Sequence, residues 1–104
     1  MFNPKDIVTS PEAEEAGRLY REAITLGKAG KFDEALRSVQ AIEETRFRLS
    51  VVFRNEAMLA LVRLCCEAIQ FERAFEIAKL MELPQFQKLA FECVDLYTNK
   101  KTQS

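Results

Sequence analysis

Residues Lys31-Phe32-Asp33-Glu34-Ala35-Leu36 return 39 positions later as Gln70-Phe71-Glu72-Arg73-Ala74-Phe75. Glu43 and Phe47 recur at the same offset as Glu82 and Phe86. A period of this size is that of stacked helical hairpins, in which no single repeat buries its apolar face alone and a neighbour must complete it. An aromatic three residues before an alanine suits a hairpin: the ring closes the turn, and the small residue lets the second helix approach the first. The repeat therefore limits the chain to an all-α stack of antiparallel hairpins.

The rest of the pattern divides into five helices. Ser10-Pro11 announces the first, a capping residue ahead of proline at the first helical position, with Glu12, Glu14 and Glu15 set against the helix dipole. Its apolar stripe is Ala16, Leu19, Tyr20, Ala23, Ile24 and Leu26, and Gly30 is a fitting stop. The second helix is expected from about Phe32 to Glu44. The third, from about Phe47 to Ile69, is apolar around most of its circumference, as a central helix with several neighbours must be. The fourth carries Phe71, Ala74, Phe75, Ala78 and Met81 and ends before Pro84. The fifth uses Phe86, Leu89, Ala90, Cys93, Val94 and Tyr97. The expected organisation is an N-terminal extension at 1–9, one helical-repeat domain at 10–98 and a disordered polar tail at 99–104.

Composition excludes several functions. The 104 residues suffice for one core. A formal charge of −1 supplies no field to draw the chain to nucleic acid or to an anionic membrane. The longest apolar run, Ala57 to Val62, falls far short of the roughly 20 residues of a membrane span. The opening Met1-Phe2-Asn3-Pro4-Lys5-Asp6 lacks the continuous apolar stretch of a secretory signal. Histidine is absent, and neither a Gly-rich phosphate loop nor a nucleophile with a base stands out, so an enzyme is not expected. No cofactor or metal is expected either: Cys65 and Cys66 are adjacent, without the two-residue gap of zinc and redox motifs. Three cysteines cannot all pair in one chain, which fits a reducing cytoplasm. Cys66 is placed towards the more polar side of its helix, making it the better candidate for a reactive thiol.

Gly30-Lys31-Phe32-Asp33-Glu34-Ala35-Leu36 resembles the turn and second-helix start of a tetratricopeptide repeat, and Ile69-Gln70-Phe71-Glu72-Arg73-Ala74-Phe75 is a looser copy. The resemblance covers about Ala16 to Pro84. It departs in its period, longer than the family's usual 34, in the long first helix of the second repeat, and at Glu22, where the family prefers leucine. The likeness implies a right-handed α-α superhelix whose first helices line a concave, partner-binding groove. Tyr20 and Ile24 would then join Glu56, Leu59 and Arg63 in contacting an extended or helical segment of another protein. Tyr20 and Ile24 stand where chaperone-binding relatives place a carboxylate clamp, so an apolar peptide or helix is the better ligand.

On a helical wheel Asn55 and Cys66 share the mixed sector of Leu59, while Leu61 faces the core. Arg54 falls in the apolar sector and must meet an acid from a neighbouring helix, Glu43 or Glu44, or reach the edge. Phe91 and Leu96 lie off the main stripe of helix five and mark an alternative surface, through which a second copy would form a homodimer or larger assembly.

Overall fold

The computed structural model describes residues 10–102, so the expected extension at 1–9 and residues 103–104 lie outside the described residues. Five α-helices follow one another: α1 Pro11–Lys28, α2 Phe32–Ala41, α3 Ser50–Glu67, α4 Phe71–Lys79 and α5 Pro84–Thr102, with a 3-10 turn, Ile42–Thr45, after α2. Among the described residues there is no strand. Ser10 caps α1 as expected, its hydroxyl accepting from the Ala13 amide at 3.1 Å.

Several boundaries differ from the sequence reading, and those between the second and third helices have a local cause. The second helix gives way to the 3-10 turn at Ile42, because Arg46 takes a left-handed conformation, φ 60°, and ends the run. Thr45 fixes this corner by donating to the Ile42 carbonyl at 2.7 Å and accepting from the Phe47 amide at 3.2 Å. Phe47 to Leu49 therefore form a corner, and α3 starts at Ser50. At the other end of the chain, α5 begins on Pro84 and continues past Thr98 to Thr102.

The repeat is visible in the backbone. Gly30 and Ile69, one period apart, are both left-handed, at φ 80° and 60°. In each turn two amides close back on the preceding helix: Gly30 on Gly27 and Lys31 on Leu26 in the first, Ile69 on Cys66 and Gln70 on Cys65 in the second, at 2.8–3.0 Å. This is the double closure that ends a helix on a left-handed residue. Ala35 and Ala74, just beyond the turns, are fully buried.

Glycine adopts that conformation freely, whereas a β-branched residue is strained there, by roughly 1–2 kcal/mol. Ile69 also projects into solvent, 59% exposed, so little burial offsets the strain. Ile69→Gly is expected to stabilise the protein by about 0.5–1 kcal/mol after the entropy of the glycine is allowed for, raising the melting midpoint by several degrees. A thermal scan beside the wild type checks this, and a fall in the midpoint would show that the isoleucine side chain contributes more than its backbone costs.

α3 is the centre of the molecule and packs against α1, α2, α4 and α5. α1 pairs with α2 and α4 with α5, while the backbones of α2 and α4 do not touch. The first helices run parallel. Tyr20 meets Phe53 early in α1 and α3, and Gly27 meets Leu61 and Leu64 further along. Asn55 likewise meets the residues just before α5.

Leu61, Val62, Val39 and Ile77 are the largest fully buried apolar side chains of the main core, and Ala16, Leu19 and Ile42 form a smaller cluster beside it. Two stripe residues turn outward instead. Phe75 is exposed, because the buried face of α4 is set by Ala74, Ile77 and Ala78, and Phe75 lies about a quarter-turn from it. Leu89 is displaced in the same way from the α5 face built on Ala90 and Val94.

Candidate functional site

The groove is built on aromatic side chains. Tyr20 on α1 meets Phe53 on α3 edge to face, ring centres 5.9 Å apart, and Phe53 meets Phe47 at 5.1 Å in the same geometry. Ring edges against ring faces are the favoured arrangement of such pairs. The Ala16, Leu19 and Ile42 cluster supports these rings from behind. In front of them an open groove of about 1000 Å³ runs along the first half of α1 to the corner at Phe47, with Leu49 on its rim, 43% exposed.

Its charges come from both helices. Arg18 is held by Glu15 and Glu22 on its own helix, the second pair at 3.2 Å, and its guanidinium keeps the Glu15 carboxyl below its ordinary range. Arg21 folds back over Gly17, where a side chain would come within 3.3 Å of its guanidinium. Glu56 closes the groove from α3. Burial, and then the Glu56 carboxylate, push the Tyr20 hydroxyl above its ordinary value, while Arg63 acts the other way. Tyr97 on α5 is also raised, by desolvation and then by Glu67, and again Arg63 opposes. Arg63 thus lies within electrostatic reach of both tyrosines, and a polar strip crosses the three parallel helices from Tyr20 through Glu56, Arg63 and Glu67 to Tyr97.

Of the residues expected to contact a partner, Tyr20 and Glu56 line the groove. Arg63 is exposed on the same side of α3 as Glu56, and Ile24 is half-buried one turn beyond Tyr20. Leu59 is half-buried against the main core, outside the groove lining. Phe47, Leu49 and Phe53 escape a sequence reading that runs α3 unbroken through the corner, whereas Tyr97 packs against the main core as its place on the apolar stripe of α5 indicates. The recurrence of Phe47 as Phe86, just inside α5, was the available sign of a helix start nearby. On the alternative surface, Phe91 folds against Phe75 at 5.4 Å, whereas Leu96 stands 69% exposed.

Two residues of the mixed sector are structural. Asn55 is fully buried; its Oδ1 accepts from the Glu82 and Leu83 amides at 3.0 and 3.1 Å, and its Nδ2 donates to the Val51 carbonyl at 2.8 Å. Cys66 is buried too, not on a polar face, and the cause is α5, whose Cys93 lies beside it. Arg54 does meet acids from its neighbours. Glu43 is 3.5 Å away, but the principal partner is Glu82, which accepts from Nε at 3.1 Å and from Nη2 at 2.6 and 2.7 Å. Glu43 and Glu82 are the repeat-equivalent pair, so one arginine serves both copies.

Burial pushes the Cys65 thiol up to about 11, and burial with the neighbouring Cys93 pushes Cys66 up to about 12. Both are therefore expected to resist alkylation in the folded protein at pH 8 and to label only on unfolding, as mass spectrometry after iodoacetamide would show. An unfolded cysteine ionises near pH 8.5–9. The unfolded state then holds fewer protons than the folded one, so these thiols lower stability as pH rises from about 9 towards 11–12 and have no such effect below about pH 8. Among the described residues no group of three or more His, Cys, Asp or Glu could hold a metal ion, and no helix is long and apolar enough to cross a membrane. Comparison with family models, with curated proteins and with solved structures finds no match to this chain.

Proposed function

We propose that this chain is a protein-binding module, an adaptor or small chaperone-like unit of tetratricopeptide-like architecture, and that the α1–α3 groove holds an apolar segment of a partner protein. The observation that carries the reading is the aromatic wall of Tyr20, Phe53 and Phe47 with Leu49 exposed at its rim. An apolar groove with a few charged groups at its edge is suited to an extended or helical segment inserting one or two large side chains. Parallel first helices with the second helices behind them support the superhelical reading, in which Tyr20, Glu56, Arg63 and Tyr97 share one face. In this reading the chain carries out no chemistry, needs no cofactor and works in the cytoplasm.

Leu49→Asp tests the proposal, because Leu49 is exposed and the substitution leaves the core intact. Quantitative affinity capture from the source cells, with wild type and variant side by side, is expected to show at least a tenfold loss of a specific partner, as for an interface anchor worth about 1.4 kcal/mol or more. Leu96→Asp is the control and is expected to change nothing. A second reading, self-association through α5, is favoured by the exposure of Leu89 and Leu96, which stand two helical turns apart on one side of the helix. If Leu96→Asp loses the partner, or converts an oligomer to a monomer in sedimentation velocity while Leu49→Asp does not, that reading replaces the first.

A further inference from the structure

Behind the first helices, the backbones of α2 and α4 lie side by side without touching, and the space between them is a furrow. Its larger part, about 740 Å³, has Leu36, Phe71 and Ile77 along it, with Ile69 at one end and Leu80 at the other. Leu36 and Leu80 also border a smaller hollow of about 150 Å³, which carries the furrow on to Glu43 and Glu82. An ion pair spans each end. Arg73 reaches from α4 to Asp33 on α2, and Arg54 rises from α3 between Glu43 and Glu82.

Three properties distinguish this furrow from an ordinary seam. Its two ends carry apolar side chains open to solvent, Ile69 at 59% and Leu80 at 52%, while Leu36 and Phe71 between them are half-buried and Ile77 forms the buried floor. Ile69 is held in a left-handed conformation at the position where the first repeat has glycine, so its side chain adds apolar surface at a backbone cost and without core burial. The rim is acidic: Asp33, Glu43, Glu72, Glu76 and Glu82 stand against Arg54, Arg73 and Lys79, which pair with Glu43 and Glu82, with Asp33 and with Glu76, so a small negative surplus remains, with Glu72 outside these pairs. Lys79, the nearest other cation on α4, is 3.1 Å from Glu76 and lies over the Phe75 ring, away from the furrow lining.

We propose that the α2–α4 furrow is a second docking surface and that it takes a basic amphipathic helix of a partner protein. Two separated parallel helices offer the ridges between which a third can lie. The apolar row then meets Leu36, Ile69 and Leu80, and flanking lysines or arginines meet Glu72, Glu76 and Glu43. The same negative rim rejects nucleic acid and acidic peptides.

The test uses the full chain and two labelled 18-residue peptides, one with leucine on one helical face and lysine on the other, the second with glutamate replacing lysine. Fluorescence anisotropy is expected to show at least tenfold tighter binding of the leucine–lysine peptide. Leu80→Lys and the double variant Glu72→Lys/Glu76→Lys are each expected to weaken it at least tenfold, and Leu49→Asp to leave it unchanged. Ile69→Gly separates docking from stability, since it is expected to raise the melting midpoint and lower affinity severalfold. Equal binding of the two peptides, unchanged affinity in the Leu80 and Glu72/Glu76 variants, or loss in Leu49→Asp instead would each overturn the proposal, and the last result would place the peptide in the α1–α3 groove.

Discussion

Asn55→Leu is expected to cost the protein about 3 kcal/mol. The side chain is fully buried, and its oxygen accepts from two consecutive amides, those of Glu82 and Leu83, at the entrance to α5. Leucine has the same branching and number of heavy atoms but is bulkier, and it cannot accept a hydrogen bond, so both amides lose their partner. Each unsatisfied buried amide costs about 1–3 kcal/mol, against roughly 1 kcal/mol regained from the added apolar burial. Urea denaturation monitored by circular dichroism gives the stability, and hydrogen exchange shows whether protection is lost first at Glu82 and Leu83. A change under about 1 kcal/mol would mean that water or a shifted turn replaces the asparagine.

Gly27→Val reverses the rule that replacing a helical glycine strengthens the helix. Replacement by alanine ordinarily gains about 0.5–1 kcal/mol. At Gly27, however, a Cβ would lie 2.6 Å from Cδ2 of Leu61 and 3.0 Å from Cδ1 of Leu64. Leu61 is itself fully buried and has no room to withdraw. Overpacking of this kind costs about 1–3 kcal/mol, and valine adds two methyl groups to the clash. The expected net loss is about 2 kcal/mol, with α1 and α3 forced apart. Shortening Leu61 to alanine in the same chain should recover part of it, and a double variant no better than the sum of the singles would show that the two residues do not compete for the space.

Helices, repeat and hairpin turns were legible because they depend on local signals: a cap at Ser10, a left-handed stop at Gly30, and apolar residues three and four apart. Contacts between helices were less so. The wheel of α3 put Asn55 and Cys66 with Leu59 on an open face, since nothing in a single helix tells where its neighbours stand. α5 covers that sector, and all three are drawn inward to different depths. Arg54 was readable in part, because a charge in an apolar sector demands an acid. That the principal acid is Glu82, the repeat partner of the anticipated Glu43, depends on how the two hairpins face each other. Tyr20 and Glu56 were found in the groove, whereas Leu49 was not, because its exposure comes from a corner made by Arg46 and Thr45 and not from any periodicity.

The sharing of Arg54 bears on whether the hairpins are interchangeable units. In a modular array each copy carries its own internal contacts, and copies can be removed or added with stability changing in even steps. Here the counter-ion of both copies sits on the one helix that also faces all four others. Cutting the chain at the second turn would leave Glu43 and Arg54 in one piece and Glu82 in the other, with neither piece retaining a closed core. Unfolding should therefore proceed as a single cooperative event, with no partly folded half accumulating, and lengthening the chain by a tandem copy would require a second arginine at the new junction.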